Sequence, residues 1–253
     1  MVGKAKQLEF VWPLGHGGAR KGAGRPRQGD RARVSHGGRE DFSKEHVVHV
    51  TCRLEKGLPS LRNARTVELL MEYLARVCER AGFRVVEYSI QGNHIHLLCE
   101  ATSSEALSAA MNGILSGMAR VLNNHWGRRG RVFADRYHAE LITTPTQCRN
   151  ALLYVLANAK KHGYLPLSAG TDPCSTAPWF PFDSYPSRRC DPKPAGQART
   201  WLLRTGWHTR SRTRLSLHDH PRIPKPARKP QPKQALRSSH RPARRHKPRQ
   251  LQE

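Results

Sequence analysis

Two strand-length apolar runs, Phe83 to Ile90 and His94 to Ala101, stand end to end with only Gln91-Gly92-Asn93 between them. A link that short, carrying a glycine, leaves the runs one compact arrangement, an antiparallel β-hairpin. The hairpin then decides which side chains share a face, because a slip of one residue would turn every side chain over.

The flanking segments extend this reading. His46 to Leu54 alternates, with Val48, Val50, Cys52 and Leu54 on one face and Val47, His49, Thr51 and Arg53 on the other, the pattern of a half-buried strand. Leu61 to Ala81 has helical spacing, and Gly82 supplies its stop. Thr102-Ser103-Ser104-Glu105 reads as a capping box that opens a long amphipathic helix ending near Gly127. Arg131 to Ile142 reads as a fourth strand. The order βαββαβ predicts an α+β fold of the ferredoxin-like kind, an antiparallel sheet with two helices on one face. Thr144-Pro145-Thr146-Gln147, a capping box with proline at the first helical position, opens an additional C-terminal helix that Gly163 closes.

Charge limits the partners. The 44 Lys and Arg face 19 Asp and Glu, a formal net charge of +25, and such a field favours polyanions, nucleic acid above all. The excess is uneven. Residues 1–44 hold ten basic residues and four acids, 45–220 twenty-three and fourteen, and 221–253 eleven and one, with seven prolines in that last stretch. The counts mark off a basic, largely disordered N-terminal extension (1–44) and a disordered basic Pro-rich tail (221–253), and the elements read above place a folded core at 45–165, followed by a poorly defined extension (166–220). The six cysteines form no C-x-x-C pair and read as scattered reduced thiols of an intracellular protein. No apolar run approaches the ~18 residues of a membrane span, so no membrane partner is expected.

In Gly92-Asn93-His94-Ile95-His96-Leu97-Leu98 the two histidines lie two apart on a strand and share a face. Their Cβ atoms are then roughly 7 Å apart, a spacing at which two imidazoles can converge on one cation. The same pattern also fits two hydrogen-bonded surface histidines. His218-Asp219-His220 repeats the spacing with no strand around it, and His46 and His49 fall on opposite strand faces, so neither pair chelates. On the last helix the apolar stripe is Cys148, Ala151, Leu152, Val155, Leu156 and Ala159. Tyr154 and Asn158 lie together on its flank as i, i+4 neighbours, with Lys161 on the same side. A tyrosine there is placed to reach across a sheet surface, although a plain amphipathic rim residue would occupy the same position.

Gly92 to Leu98, followed by Tyr154-Val155-Leu156-Ala157-Asn158, resembles the single-tyrosine HUH transposases, and most nearly their REP-associated branch. Gly130-Arg131-Val132-Phe133-Ala134-Asp135-Arg136-Tyr137 is similar to that family's fourth-strand segment. The likeness runs from about residue 46 to 165. It implies a ferredoxin-like fold, Mg²⁺ or Mn²⁺ held by His94, His96 and Asn158, and Tyr154 as nucleophile. It further implies cleavage and strand transfer of single-stranded or hairpin DNA through a 5′-phosphotyrosine. A bacterial, cytoplasmic, nucleoid-associated protein, monomeric or homodimeric, goes with it. Arg136, Lys160 and Lys161 are the candidate DNA contacts of the core. Where the family often has Pro-Val-Arg-Ala-Gly, this chain has Ala159-Lys160-Lys161-His162-Gly163, which bears on substrate preference. A catalytically silent hairpin-binding relative is the alternative reading, and an RRM-like RNA-binding domain fits less well because the expected strand aromatics are missing.

Outside the core, Gly22-Ala23-Gly24-Arg25-Pro26-Arg27 resembles the Gly-Arg-Pro centre of AT-hook segments, with Arg25 and Arg27 as minor-groove candidates. A nonspecific basic linker has the same composition. Trp201 to Trp207 is an apolar patch suited either to packing on the core or to stacking on unpaired bases.

Overall fold

The structure, a computed structural model, describes residues 41–166, 170–183, 191–209 and 215–216. Arg25, Arg27, His218 to His220 and the basic Pro-rich tail lie outside the described residues.

The element order is β1 (His46–Arg53), α1 (Ala64–Val77), β2 (Glu79–Arg80), β3 (Phe83–Ile90), β4 (His94–Ala101), α2 (Ser104–His125), β5 (His138–Ile142), α3 (Pro145–Leu156), α4 (Asn158–Lys161) and α5 (Trp207–Thr209). The strands form one sheet in the order β2-β3-β4-β1-β5, with antiparallel pairing throughout. The expected α+β fold and βαββαβ arrangement are therefore present, with β2 a two-residue addition beside β3.

Local chemistry shifts several boundaries. α1 begins at Ala64 because the Asn63 side chain accepts from the Arg65 N–H at 3.1 Å. It ends at Val77, and Glu79 and Arg80 pair with Arg84 and Phe83 around Gly82, whose φ of 67° makes a hairpin turn of what the sequence reads as a helix end. The N-cap of α2 is Ser103, not Thr102: Ser103 Oγ accepts from the Ala106 N–H, while Thr102 Oγ1 donates to the Gly82 carbonyl. β5 covers only the second half of the segment expected, and Phe133 meets Leu54 through an isolated bridge. The capping box of Thr144 and Gln147 forms as expected. The helix it opens stops at Leu156, because Ala157 leaves helical geometry at ψ 12° and Asn158 starts a separate turn.

Two apolar cores flank the sheet. On one side Val48, Val50, Cys52, Val85, Ile95 and Leu97 pack against α1 and α2. On the other, Val47, Val86, Leu98 and Ile142 meet α3 through Cys148, Ala151, Leu152 and Leu156. The half-buried reading of β1 holds along most of the strand: on its second face Val47 is covered by α3, His49 and Thr51 are partly buried and Arg53 is exposed. Phe180, Phe182, Leu203, Trp207 and Leu215 complete that second core, so much of 166–220 is built into the domain. The Trp201–Trp207 patch packs on the core through Leu203 and Trp207, while Trp201 remains 58% exposed.

Polar anchors hold this extension in place. Glu100 is fully buried and accepts from Arg84, from the backbone N–H groups of Arg199 and Thr200, and from the Thr200 hydroxyl. Arg62 clasps buried Asp172 with two parallel bonds of 2.8 and 3.0 Å. Ile90 N–H donates to Cys174 O, and Thr176 N–H to Tyr88 O, so residues 174–176 satisfy the edge of β3 that β2 leaves open. Among the described residues no helix is long and apolar enough to cross a membrane.

Candidate active site

The antiparallel register places Ser89 opposite His96, His96 opposite Thr51, and Thr51 opposite His138. These four side chains make a polar row across the sheet on the face that α3 covers. His94 occupies the next position along β4 on that face, and His49 the next along β1. Of these, His49 and His96 meet the Tyr154 ring.

Tyr154 is edge-on to His96, with ring centroids 5.1 Å apart, and edge-on to His49 at 5.7 Å. His94 meets His96 edge-on at 4.7 Å. The Lys161 ammonium lies 4.5 Å from the centre of the Tyr154 ring. The break at Ala157 carries the chain back over the hairpin, bringing His162 to 5.4 Å from His94. Tyr164 continues the cover, with the Arg62 guanidinium 4.6 Å above its ring.

The imidazole nitrogens are differently engaged. His94 Nδ1 is 2.7 Å from Asn93 Oδ1, which can only accept, so Nδ1 donates and Nε2 carries the free lone pair. His96 Nδ1 lies 3.1 Å from Thr51 Oγ1 and 3.2 Å from His49 Nε2, whereas its buried Nε2 has no hydrogen-bond partner among the described residues. Burial first, then neighbouring positive groups, keeps these rings neutral. The His94 pKa falls to about 4 and that of His96 to about 2, with His49, His94, His162 and Lys161 adding to the effect on His96. His49 is lowered to about 4 by burial and by His138. Neutral imidazole is the form that binds metal.

Asn158 is completely buried, and among the described residues neither its Oδ1 nor its Nδ2 has a hydrogen-bond partner. The expectation that it lines up with Tyr154 along one continuous helix is corrected, since it opens α4 after the break. Among the described residues no group of three His, Cys, Asp or Glu is placed to hold a metal. The donors on offer are two neutral imidazoles and one amide, each with a buried or freed acceptor, and that set fits a divalent cation whose other positions go to water or substrate oxygen. Lys161 is exposed beside Tyr154, Lys160 is half-buried with its pKa lowered by burial, and Arg136 is exposed just before β5.

His49, Thr51 and His162 belong to this cluster although sequence reading left them out. His49 shares its face with the histidine pair only once β1 is placed beside β4, and spacing within β1 carries no trace of that.

Residues 43–155 match the family model described as transposase IS200-like. Over that stretch the chain is similar to the IS200-like transposases. A search of curated proteins found no match. Among solved structures, a REP-associated tyrosine transposase bound to a REP hairpin is 16% identical, with 56% of this chain and 82% of that one covered and a TM-score of 0.45. A candidate transposase from Deinococcus radiodurans R1 is also 16% identical, with 53% and 95% covered and a TM-score of 0.33.

Proposed function

We propose that this chain is an IS200-like transposase that cleaves single-stranded DNA at hairpins and transfers the strand through a 5′-phosphotyrosine on Tyr154, with His94, His96 and Asn158 holding Mg²⁺ or Mn²⁺. The observation that carries the reading is the contact of Tyr154 with His96 on a sheet face whose second ring nitrogen has no protein partner. A bound divalent cation would offset the phosphodiester charge as a Lewis acid.

The chain's own groups account for the rest. Tyr154 Oη attacks the phosphorus, the P–O3′ bond breaks, and the phenolic proton is balanced on the departing 3′ oxygen. The phosphodiester energy is kept in the tyrosyl ester, so a second 3′-hydroxyl can reverse the step and join strands without a nucleotide cofactor. Lys161, whose ammonium lies beside the Tyr154 ring, would meet the substrate phosphate. The basic excess supplies the sequence-independent attraction for DNA, with Arg136 and Lys160 as further contacts and Arg25 and Arg27 as minor-groove candidates.

The test is incubation of the full chain with labelled single-stranded hairpins and Mn²⁺, followed by a denaturing gel. A protein–DNA adduct that disappears in Tyr154→Phe supports the reading. Cleavage without an adduct, or an adduct retained in Tyr154→Phe, overturns it.

A further inference from the structure

We infer that His49 is a positioning residue for His96, fixing the ring so that Nδ1 faces the sheet and Nε2 stays a bare lone pair for the cation. The inference rests on the metal-site reading above and deepens it. His49 Nε2 lies 3.2 Å from His96 Nδ1, and the two rings stack with centroids 5.2 Å apart and planes 28° apart. Thr51 Oγ1 reaches the same nitrogen at 3.1 Å. Two groups of β1 thus converge on Nδ1, and among the described residues no hydrogen-bond partner meets Nε2.

That asymmetry selects the tautomer. With the proton on Nε2, a buried N–H would stand without an acceptor, an unfavourable arrangement for a buried donor. With the proton on Nδ1, it is donated to His49 Nε2 or Thr51 Oγ1, and the unshared pair is the one that a cation would use. A metal-ligating imidazole is generally oriented by a hydrogen bond at its other nitrogen. Here the His49 side chain supplies that bond and a stacked surface, and it also touches Tyr154 edge-on. Its place on β1 explains the geometry, since β1 pairs with β4 and places Thr51 directly opposite His96.

The test uses the full chain with two substitutions, His49→Phe, which keeps a ring but removes the nitrogen, and His49→Gln, which restores an acceptor at similar reach. Two readouts are taken: Mn²⁺ affinity by calorimetry, and the protonated nitrogen of His96 by long-range ¹H–¹⁵N spectra of the metal-free protein. Phe should weaken Mn²⁺ binding by about tenfold to a hundredfold and shift His96 away from the pure Nδ1–H form. Gln should restore both, with the thermal midpoint of all three proteins alike. Unchanged affinity and an unchanged tautomer in His49→Phe overturn the inference. If the native chain binds no Mn²⁺, the metal reading fails, and the spectra still decide separately whether His49 orients His96.

Discussion

Tyr154 meets His96 with its ring edge, at a centroid separation of 5.1 Å and an interplanar angle of 83°. The contact is made by the ring, so the hydroxyl is left for chemistry and the packing survives its removal. Tyr154→Phe is expected to abolish the covalent adduct while changing stability by less than about 0.5 kcal/mol. Hairpin affinity should be retained. Denaturing gels, binding titrations and thermal melts check the three parts.

His94→Ala and His96→Ala are expected to remove cleavage dependent on a divalent cation, as is a chelator acting on the native chain. The donor set adds a preference. Two imidazoles suit Mn²⁺ better than Mg²⁺, which favours an all-oxygen shell. Mn²⁺ should therefore support cleavage at lower concentration than Mg²⁺, and a metal titration of single-turnover rates with the order reversed would contradict the assigned ligands.

Glu100 sits two turns of the pleat from His96 on the same strand face, yet its part is structural. Glu100→Ala leaves the Arg84 guanidinium with only the half-exposed Glu45 and strips the acceptor from Arg199 and Thr200. Removing one partner of a buried pair costs about 3–5 kcal/mol. Denaturant unfolding should show a decrease of that order, with a smaller one for Glu100→Gln, which keeps an acceptor oxygen.

A chain stopped after residue 165 would bare the α3 side of Val47, Val86 and Leu98 by removing Phe180, Phe182, Leu203 and Trp207. A single large-to-small change such as Trp207→Ala costs about 3–5 kcal/mol, so the truncated chain is expected to aggregate. Gel filtration checks this. A monodisperse 45–165 fragment would show that the second core is dispensable.

Deleting residues 221–253 removes eleven basic residues and one acid. For single-stranded DNA, every phosphate that the shortened chain no longer neutralises should lower the log–log salt slope by roughly 0.7. Affinity should fall at low salt while the cleavage rate of saturated complex stays level. A collapsed single-turnover rate would place the tail at the active site.

The hairpin, the βαββαβ order and the Tyr154 helix are legible in sequence because each rests on local periodicity or a cap: the Gln91–Asn93 link, the Thr144–Gln147 box, the alternation of β1. What stays hidden depends on contacts distant in sequence. The break at Ala157 has no proline or glycine to announce it. His49 joins the cluster only through pairing with β4, across 47 residues. The docking of 170–209 hangs on Glu100 and Asp172, single acids whose partners lie about 100 and 110 residues away. Periodicity is blind to such ties, and a polar, proline-dotted segment reads as loose even where a buried carboxylate gathers it.

α3 is seated on the sheet of its own chain, with Leu152 and Leu156 sealed beneath the C-terminal segment and Tyr154 one turn from its end. The proposed nucleophile, Tyr154, and the histidines thus meet within one chain. Two crippled chains, one Tyr154→Phe and the other His96→Ala, should not complement each other when mixed. Each polypeptide would also count as one complete cutting unit, so adduct formed at saturation should approach one DNA strand per chain.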